Sequence, residues 1–217
     1  MAGVMIFALA SNAQAQDELK KIFEDTYQRA LRYNDRAEAK SALFGIIAIE
    51  PQNDSLVTTL AFIYYEARQY ASSVLVCLDV LQLNPYNVGA LEISALSYEN
   101  LGLKDKSLDN YEKLFLKTNG FQPLYKMAFL QFDLEKYQQC STNVDILLTK
   151  PELEEATVFY TIEEIEKEFP IEVAILNLKG LVNKELGNLD LARQSFEQAL
   201  AISPEFVLAQ ENMDALN

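Results

Sequence analysis

Two prolines 34 residues apart, Pro51 and Pro85, each close a segment of the same form: apolar helix, short break, apolar helix, polar pair, proline. A recurrence of that length restricts the chain to supersecondary units that stack on one another, because one such unit cannot bury its own apolar face. Taking the proline as position 32 of a repeat puts position 1 at Lys20, Asp54, Val88, Phe121 and, after an insertion, Val173. The frame predicts five helix pairs. Position 8, where the first helix of a pair crosses the second, needs a small side chain and holds Ala61, Ala95, Ala128 and Gly180. The reciprocal position 20 holds Ala39, Ser73, Ser107, Cys140 and Ala192. Position 24 (Leu43, Cys77, Tyr111, Val144, Phe196) and position 28 (Ile47, Leu81, Phe115, Leu148, Leu200) give every second helix an apolar stripe.

Position 11 carries Tyr64 and Tyr98, the turn carries Gly102 and Gly187, and the closing proline recurs as Pro204. With the 34-residue period, these columns resemble the tetratricopeptide-repeat (TPR) signature over residues 20–152 and 173–204. The resemblance implies an all-α, right-handed TPR helical solenoid of about five repeats (near 20–53, 54–87, 88–120, 121–152 and 173–206) that binds other proteins. Some columns depart from it. Tyr27 stands where the first repeat needs a small residue, Gln131 and Asn183 replace the aromatic, and Asn119 and Glu152 replace the proline. The leading helix of the first repeat is therefore the most weakly specified element. After Pro204, the helical spacing of Phe206, Ala209, Met213 and Leu216 predicts a capping helix over 205–216.

Between the fourth and fifth repeats lies a segment, 153–172, that no TPR requires. From Glu152 to Glu172 it holds eight glutamates and one lysine, half of the chain's net charge of -14. Within it, Thr157 to Ile162 form a β-branched and aromatic cluster with poor helix propensity. Pairing with 166–171 predicts a short β-hairpin near 157–171, with Pro170 at a strand end where its missing N–H is harmless. As an insertion between neighbouring repeats it reads as an appendage, replaceable by a Gly/Ser linker without loss of the helical stack.

Val4 to Ala10 is an apolar run followed by Ala13 and Ala15 in the small-x-small pattern of a signal-peptidase site. Residues 1–15 read as a signal peptide lacking a basic leader, cleavage leaves Gln16 first, and 16–217 is the TPR domain. The combination resembles small exported TPR proteins of Bacteroidetes-type bacteria, which implies a periplasmic or envelope location. Export would permit a disulfide, but the register places Cys77 and Cys140 two repeats apart, beyond bonding reach. Both are expected to be small buried core residues.

The excess of 32 acidic over 18 basic residues repels phosphate backbones and anionic bilayers, so nucleic acid is not an expected partner. No run approaches the ~18 apolar residues of a spanning helix, so the mature chain is not expected to insert into a membrane. The absence of histidine removes the commonest general base, the Ser-His-Asp triad and most zinc sites. No serine has a lysine three positions on, the glycines build no phosphate loop, and the cysteines form no C-x-x-C. Adjacent glutamates such as Glu163 and Glu164 read as a solvated charge run, not a glycosidase pair. Neither an enzyme nor a metal or cofactor site is expected.

What remains is binding. TPR architecture lines its inner face with positions 2, 5, 6, 9, 12 and 13 of the first helices. Positions 9 and 12 here read Phe62 and Tyr65, Leu96 and Glu99, Phe129 and Phe132, Leu181 and Lys184. The expected partner-binding groove comprises Phe62, Tyr65, Leu96, Glu99, Phe129 and Phe132. Thr58, Glu92 and Tyr125 at position 5 are not the lysine, arginine and asparagine of a clamp for acidic chaperone tails. Two readings stand: an adaptor whose apolar-aromatic groove takes a protein or peptide, or a structural subunit of a permanent envelope complex. The second demands a broad apolar patch away from the groove.

Overall fold

Three helices begin at a short polar side chain that satisfies an otherwise orphaned backbone donor. Asp35, Asn53 and Asn87 accept from the N–H groups of Glu38, Leu56 and Ala90, at 3.0, 3.3 and 2.9 Å. The computed structural model describes residues 2–162 and 164–216, with side chains from Gln14 onward. Its elements in chain order are α1 (Ala2–Arg32), α2 (Arg36–Ile49), α3 (Asp54–Glu66), α4 (Tyr70–Leu83), α5 (Val88–Asn100), α6 (Lys104–Thr118), α7 (Phe121–Asp133), α8 (Tyr137–Leu147), β1 (Thr157–Ile162), β2 (Ile165–Pro170), α9 (Ile171–Glu185), α10 (Leu189–Ile202) and α11 (Val207–Asp214). The fold is the all-α TPR solenoid that the columns predict, with a small hairpin before the last repeat. Two units make it up, Met1–Leu103 and Lys104–Asn217.

The turn inside each helix pair is the same in all five repeats. Position 15 takes a left-handed backbone, with φ of 55° at Asn34, 56° at Arg68, 74° at Gly102, 58° at Glu135 and 79° at Gly187. The N–H of position 16 then returns to the carbonyl of position 11: Asp35 to Ala30, Gln69 to Tyr64, Leu103 to Tyr98, Lys136 to Gln131 and Asn188 to Asn183, at 2.8–2.9 Å. That bond closes the first helix by satisfying a carbonyl its last turn leaves open. Gly102, Gly187 and, more weakly, Asn34 announce the turn by residue type; Arg68 and Glu135 do not.

In unit 1, Ser73 Oγ at position 20 donates to the carbonyl of Ala61 at position 8 (2.9 Å), and Ser97 Oγ donates to Ser73 Oγ (3.1 Å). In unit 2, Cys140 Sγ makes the position-20 bond to the Ala128 carbonyl at 3.1 Å. The small-residue columns thus also carry buried hydrogen bonds, which polar groups removed from water require. Tyr27 does not prevent the first pair from forming: it packs half-buried against the cluster of Leu43, Ile46 and Leu60, while Gly45 of α2 leaves room for Phe23, from whose ring a Cβ there would stand 2.6 Å. Cys77 and Cys140 are free and buried, and burial pushes both thiols up to about 12.

The hairpin pairs Thr157 with Pro170 through to Ile162 with Ile165. Its second strand starts one residue earlier than 166–171, because Glu164 adopts a φ of 67° that turns the chain at once, and Ile171 already belongs to α9. Val158, Tyr160 and Ile162 face inward against the buried side chains of Phe169, Val173, Leu176 and Phe206. Phe169 is 1% exposed, and its ring lies 5.1 Å from that of Phe206, which lies 5.2 Å from that of Tyr160. The expectation of a replaceable appendage is therefore corrected: the hairpin puts an aromatic side chain into the core of unit 2, beside the residue that leads into α11.

Candidate functional site

The inner-face columns of unit 1 are set by α3 and α5, with the ends of α1 and α2 beside them. Phe62 at position 9 keeps 50% of its surface exposed and borders two hollows. The first, about 230 Å³, is lined by Leu31, Ala39 and Ile63, with Arg36 and Glu66 among its charged residues. The second, about 370 Å³, is lined by Ser55, Thr58, Thr59, Asn87 and Ile93 together with Asp54. One is apolar with charged groups, the other offers hydroxyl and amide groups, and Phe62 belongs to both.

Asp54 is held in place from the far end of its own repeat. Asn84 Nδ2 and Asn87 Nδ2 each donate to its Oδ2 at 2.9 Å, and these two bonds set its carboxyl below the usual range. The first repeat closes similarly, with Lys20 Nζ donating to Glu50 Oε1 at 2.5 Å. Gly89 faces Thr58 so closely that a Cβ would stand 2.9 Å from its methyl group, which keeps the second hollow open on that side.

The other expected groove residues are placed differently. Tyr65 is half-buried, its ring tilted against Tyr70 at 5.7 Å, and Leu96 and Glu99 are half-buried on α5. Phe129 and Phe132, in unit 2, are half-buried and pack against the core around Leu124, Val144 and Leu178. Phe129 lies 4.7 Å from Tyr125, Tyr125 lies 6.3 Å from Phe121, and Phe132 lies 5.6 Å from Tyr137. Burial pushes the Tyr125 hydroxyl up, and Val158 of the hairpin packs on the same core cluster as Tyr125, Phe129 and Phe132, so the chain itself occupies part of this face. Position 9 of α3 is thus the most open apolar member of the predicted set. Its true neighbours, Ser55, Thr58, Thr59 and Ile93, come from positions 2, 5 and 6, which the same repeat frame assigns to the inner face.

Among the described residues, no three Cys, Asp or Glu side chains are grouped to hold a metal ion. Glu164 is exposed at the hairpin turn, and Glu163 lies outside the described residues. On the outer side of unit 1, α4 exposes Leu75, Leu78 and Leu83 with Asp79 as its only charged residue, and α2 exposes Phe44.

Comparison with known proteins agrees with this architecture. Residues 173–206 match the family model described as Tetratricopeptide repeat. No curated protein sequence matches the chain. Among solved structures, the chain is similar to MamA (14% identity, 88% of this chain and 95% of that one, TM-score 0.67). It is also similar to a tetratricopeptide repeat protein from Parabacteroides merdae (19%, 92% and 72%, TM-score 0.68). YrrB, described as a TPR protein with an unusual peptide-binding site, aligns at 11% identity over 93% and 97% of the two chains, with a TM-score of 0.70. The fold is that of a TPR protein.

Proposed function

We propose that this TPR chain is a non-enzymatic adaptor that holds an extended protein or peptide segment against the inner face of α3 and α5. The observation that carries the reading is Phe62, a half-exposed ring between an apolar hollow and a polar one. Binding sites are concave, mostly apolar and furnished with a few directed polar groups, and this face has all three properties. The description of YrrB as peptide-binding supports the class of ligand. Asp54, Glu66, Glu92 and Glu99 on the same helices favour a segment with a basic residue beside its apolar anchor. Dodecapeptides selected from a random library against the full chain should carry that pattern. Phe62→Ala should weaken them at least tenfold, about 1.4 kcal/mol of an aromatic anchor's contribution, with an unchanged unfolding midpoint. Equal affinity for the variant would remove the groove.

The second reading, a subunit of a permanent complex, is favoured by the outer leucines of α4, since an apolar helix face is normally covered. Both readings are placed in the cell envelope. Export is read from the apolar run Val4 to Ala10 and the small residues Ala13 and Ala15, and no described helix is long and apolar enough to cross a membrane. The mass of the protein recovered from its native host should correspond to a chain starting at Gln16; a chain retaining Met1 would refute export.

A further inference from the structure

The hairpin has two edges, and their chemistry is unequal. Ile171 N–H donates to the Ala156 carbonyl at 2.9 Å, continuing the pairing of Thr157 with Pro170. Antiparallel ladders alternate hydrogen-bonded and non-hydrogen-bonded pairs. Val158, Tyr160 and Ile162 therefore bond to β2, while Thr157, Phe159 and Thr161 turn their N–H and C=O groups to the free edge of β1. By the same alternation, β2 presents Glu166, Glu168 and Pro170 at its own free edge. Two carboxylates and a missing donor guard β2 in the way natural sheets protect their margins. β1 has no such guard. Its sequence TVFYTI carries no charge and no proline, Thr157, Phe159 and Thr161 are all exposed, and Phe159 keeps 57% of its surface open. Among the described residues, no backbone hydrogen bond joins β1 to any segment but β2.

We propose that the free edge of β1 accepts an extended segment of a partner protein as a third strand, and that this segment carries basic residues. Backbone pairing at a sheet edge supplies affinity whatever the sequence, and the charge around the edge selects the partner. Glu154 and Glu155 precede β1, Glu164 follows it, and Glu166 and Glu168 stand across from Thr161 and Phe159. A second copy pairing antiparallel through its own β1 would set its Glu164 beside Glu154 and Glu155 of this one, on strands ~4.8 Å apart and so inside the Debye length of about 8 Å at physiological salt. A strand bearing lysine or arginine meets attraction instead. The surface is independent of the groove at Phe62.

The test uses the full chain and an acetylated octapeptide of alternating valine and lysine. The peptide should bind, its valine-glutamate counterpart should not, and amide exchange at Thr157, Phe159 and Thr161 should slow at least tenfold. Exchange at Val158 and Tyr160, already bonded to β2, should change little. Phe159→Pro removes one outward donor without touching the β1–β2 ladder, and Thr161→Lys adds an edge charge while keeping the strand; each should weaken binding at least tenfold. No binding, binding without slowing of the three amides, or full binding by both edge variants overturns the proposal. So does slowing of the same amides in a dimer formed without peptide, which would make a second copy the occupant.

Discussion

Replacing residues 153–169 with a short Gly/Ser linker is expected to abolish the cooperative unfolding of unit 2. The linker would remove Phe169, which is 1% exposed, along with Val158, Tyr160 and Ile162, and would uncover Phe206. Truncating a single buried phenylalanine costs about 3–5 kcal/mol, and each edge-on ring pair lost adds roughly 0.5–1.5 kcal/mol. The total is comparable with the whole stability of a small domain, about 5–15 kcal/mol. Thermal melts followed by circular dichroism should show the replaced chain losing the transition of unit 2 or shifting it down by about 20 °C or more, at ~4 °C or more per kcal/mol for a unit of this size. Phe169→Ala alone should give most of the effect. An unchanged midpoint in the linker variant would return the hairpin to the status of an appendage.

The second large effect is expected at Gly180. A Cβ there would lie 2.2 and 2.5 Å from two carbons of the Phe196 ring, which is fully buried and has nowhere to move. Helix propensity alone says that Gly180→Ala should stabilise the chain by about 1 kcal/mol, whereas overpacking costs about 1–3 kcal/mol and more where neighbours cannot yield. The clash should win. Urea unfolding should show Gly180→Ala less stable by about 2 kcal/mol, and Phe196→Leu in the same chain should restore part of the loss, a coupling that contact residues show and distant ones do not. A more stable Gly180→Ala would mean that the helices cross without touching at this point.

The sequence made these features visible to different degrees. Gly180 was legible as the small residue of its column and Phe196 as a member of the apolar stripe, though not the contact between them. The hairpin's first strand was legible in the cluster Thr157–Ile162, but its packing was not. β2 reads Ile-Glu-Lys-Glu-Phe-Pro, and a strand with one inward aromatic among charges has no periodicity to betray its burial. The repeat frame put Phe62 on an open face, and the ring is half exposed there, because side-chain direction follows position in a helix. It could not tell Phe62 from Phe129, because the frame does not report which ring has another ring to lean on. Tyr65 and Phe132 share that fate, each turned against the tyrosine that opens the next helix.

The five identical turns imply something about how such a chain can change over generations. Each is held by a hydrogen bond between main-chain atoms, so no particular side chain is needed to keep it. A residue other than glycine in the left-handed position costs on the order of 1 kcal/mol, and Asn34, Arg68 and Glu135 show that this chain tolerates the cost three times. The geometry can therefore persist while its letters drift, one repeat at a time. That accounts for a chain whose architecture superimposes on proteins sharing 11–19% of its residues, yet in which one repeat of five, 173–206, retains enough glycine, alanine and proline to be recognised by pattern.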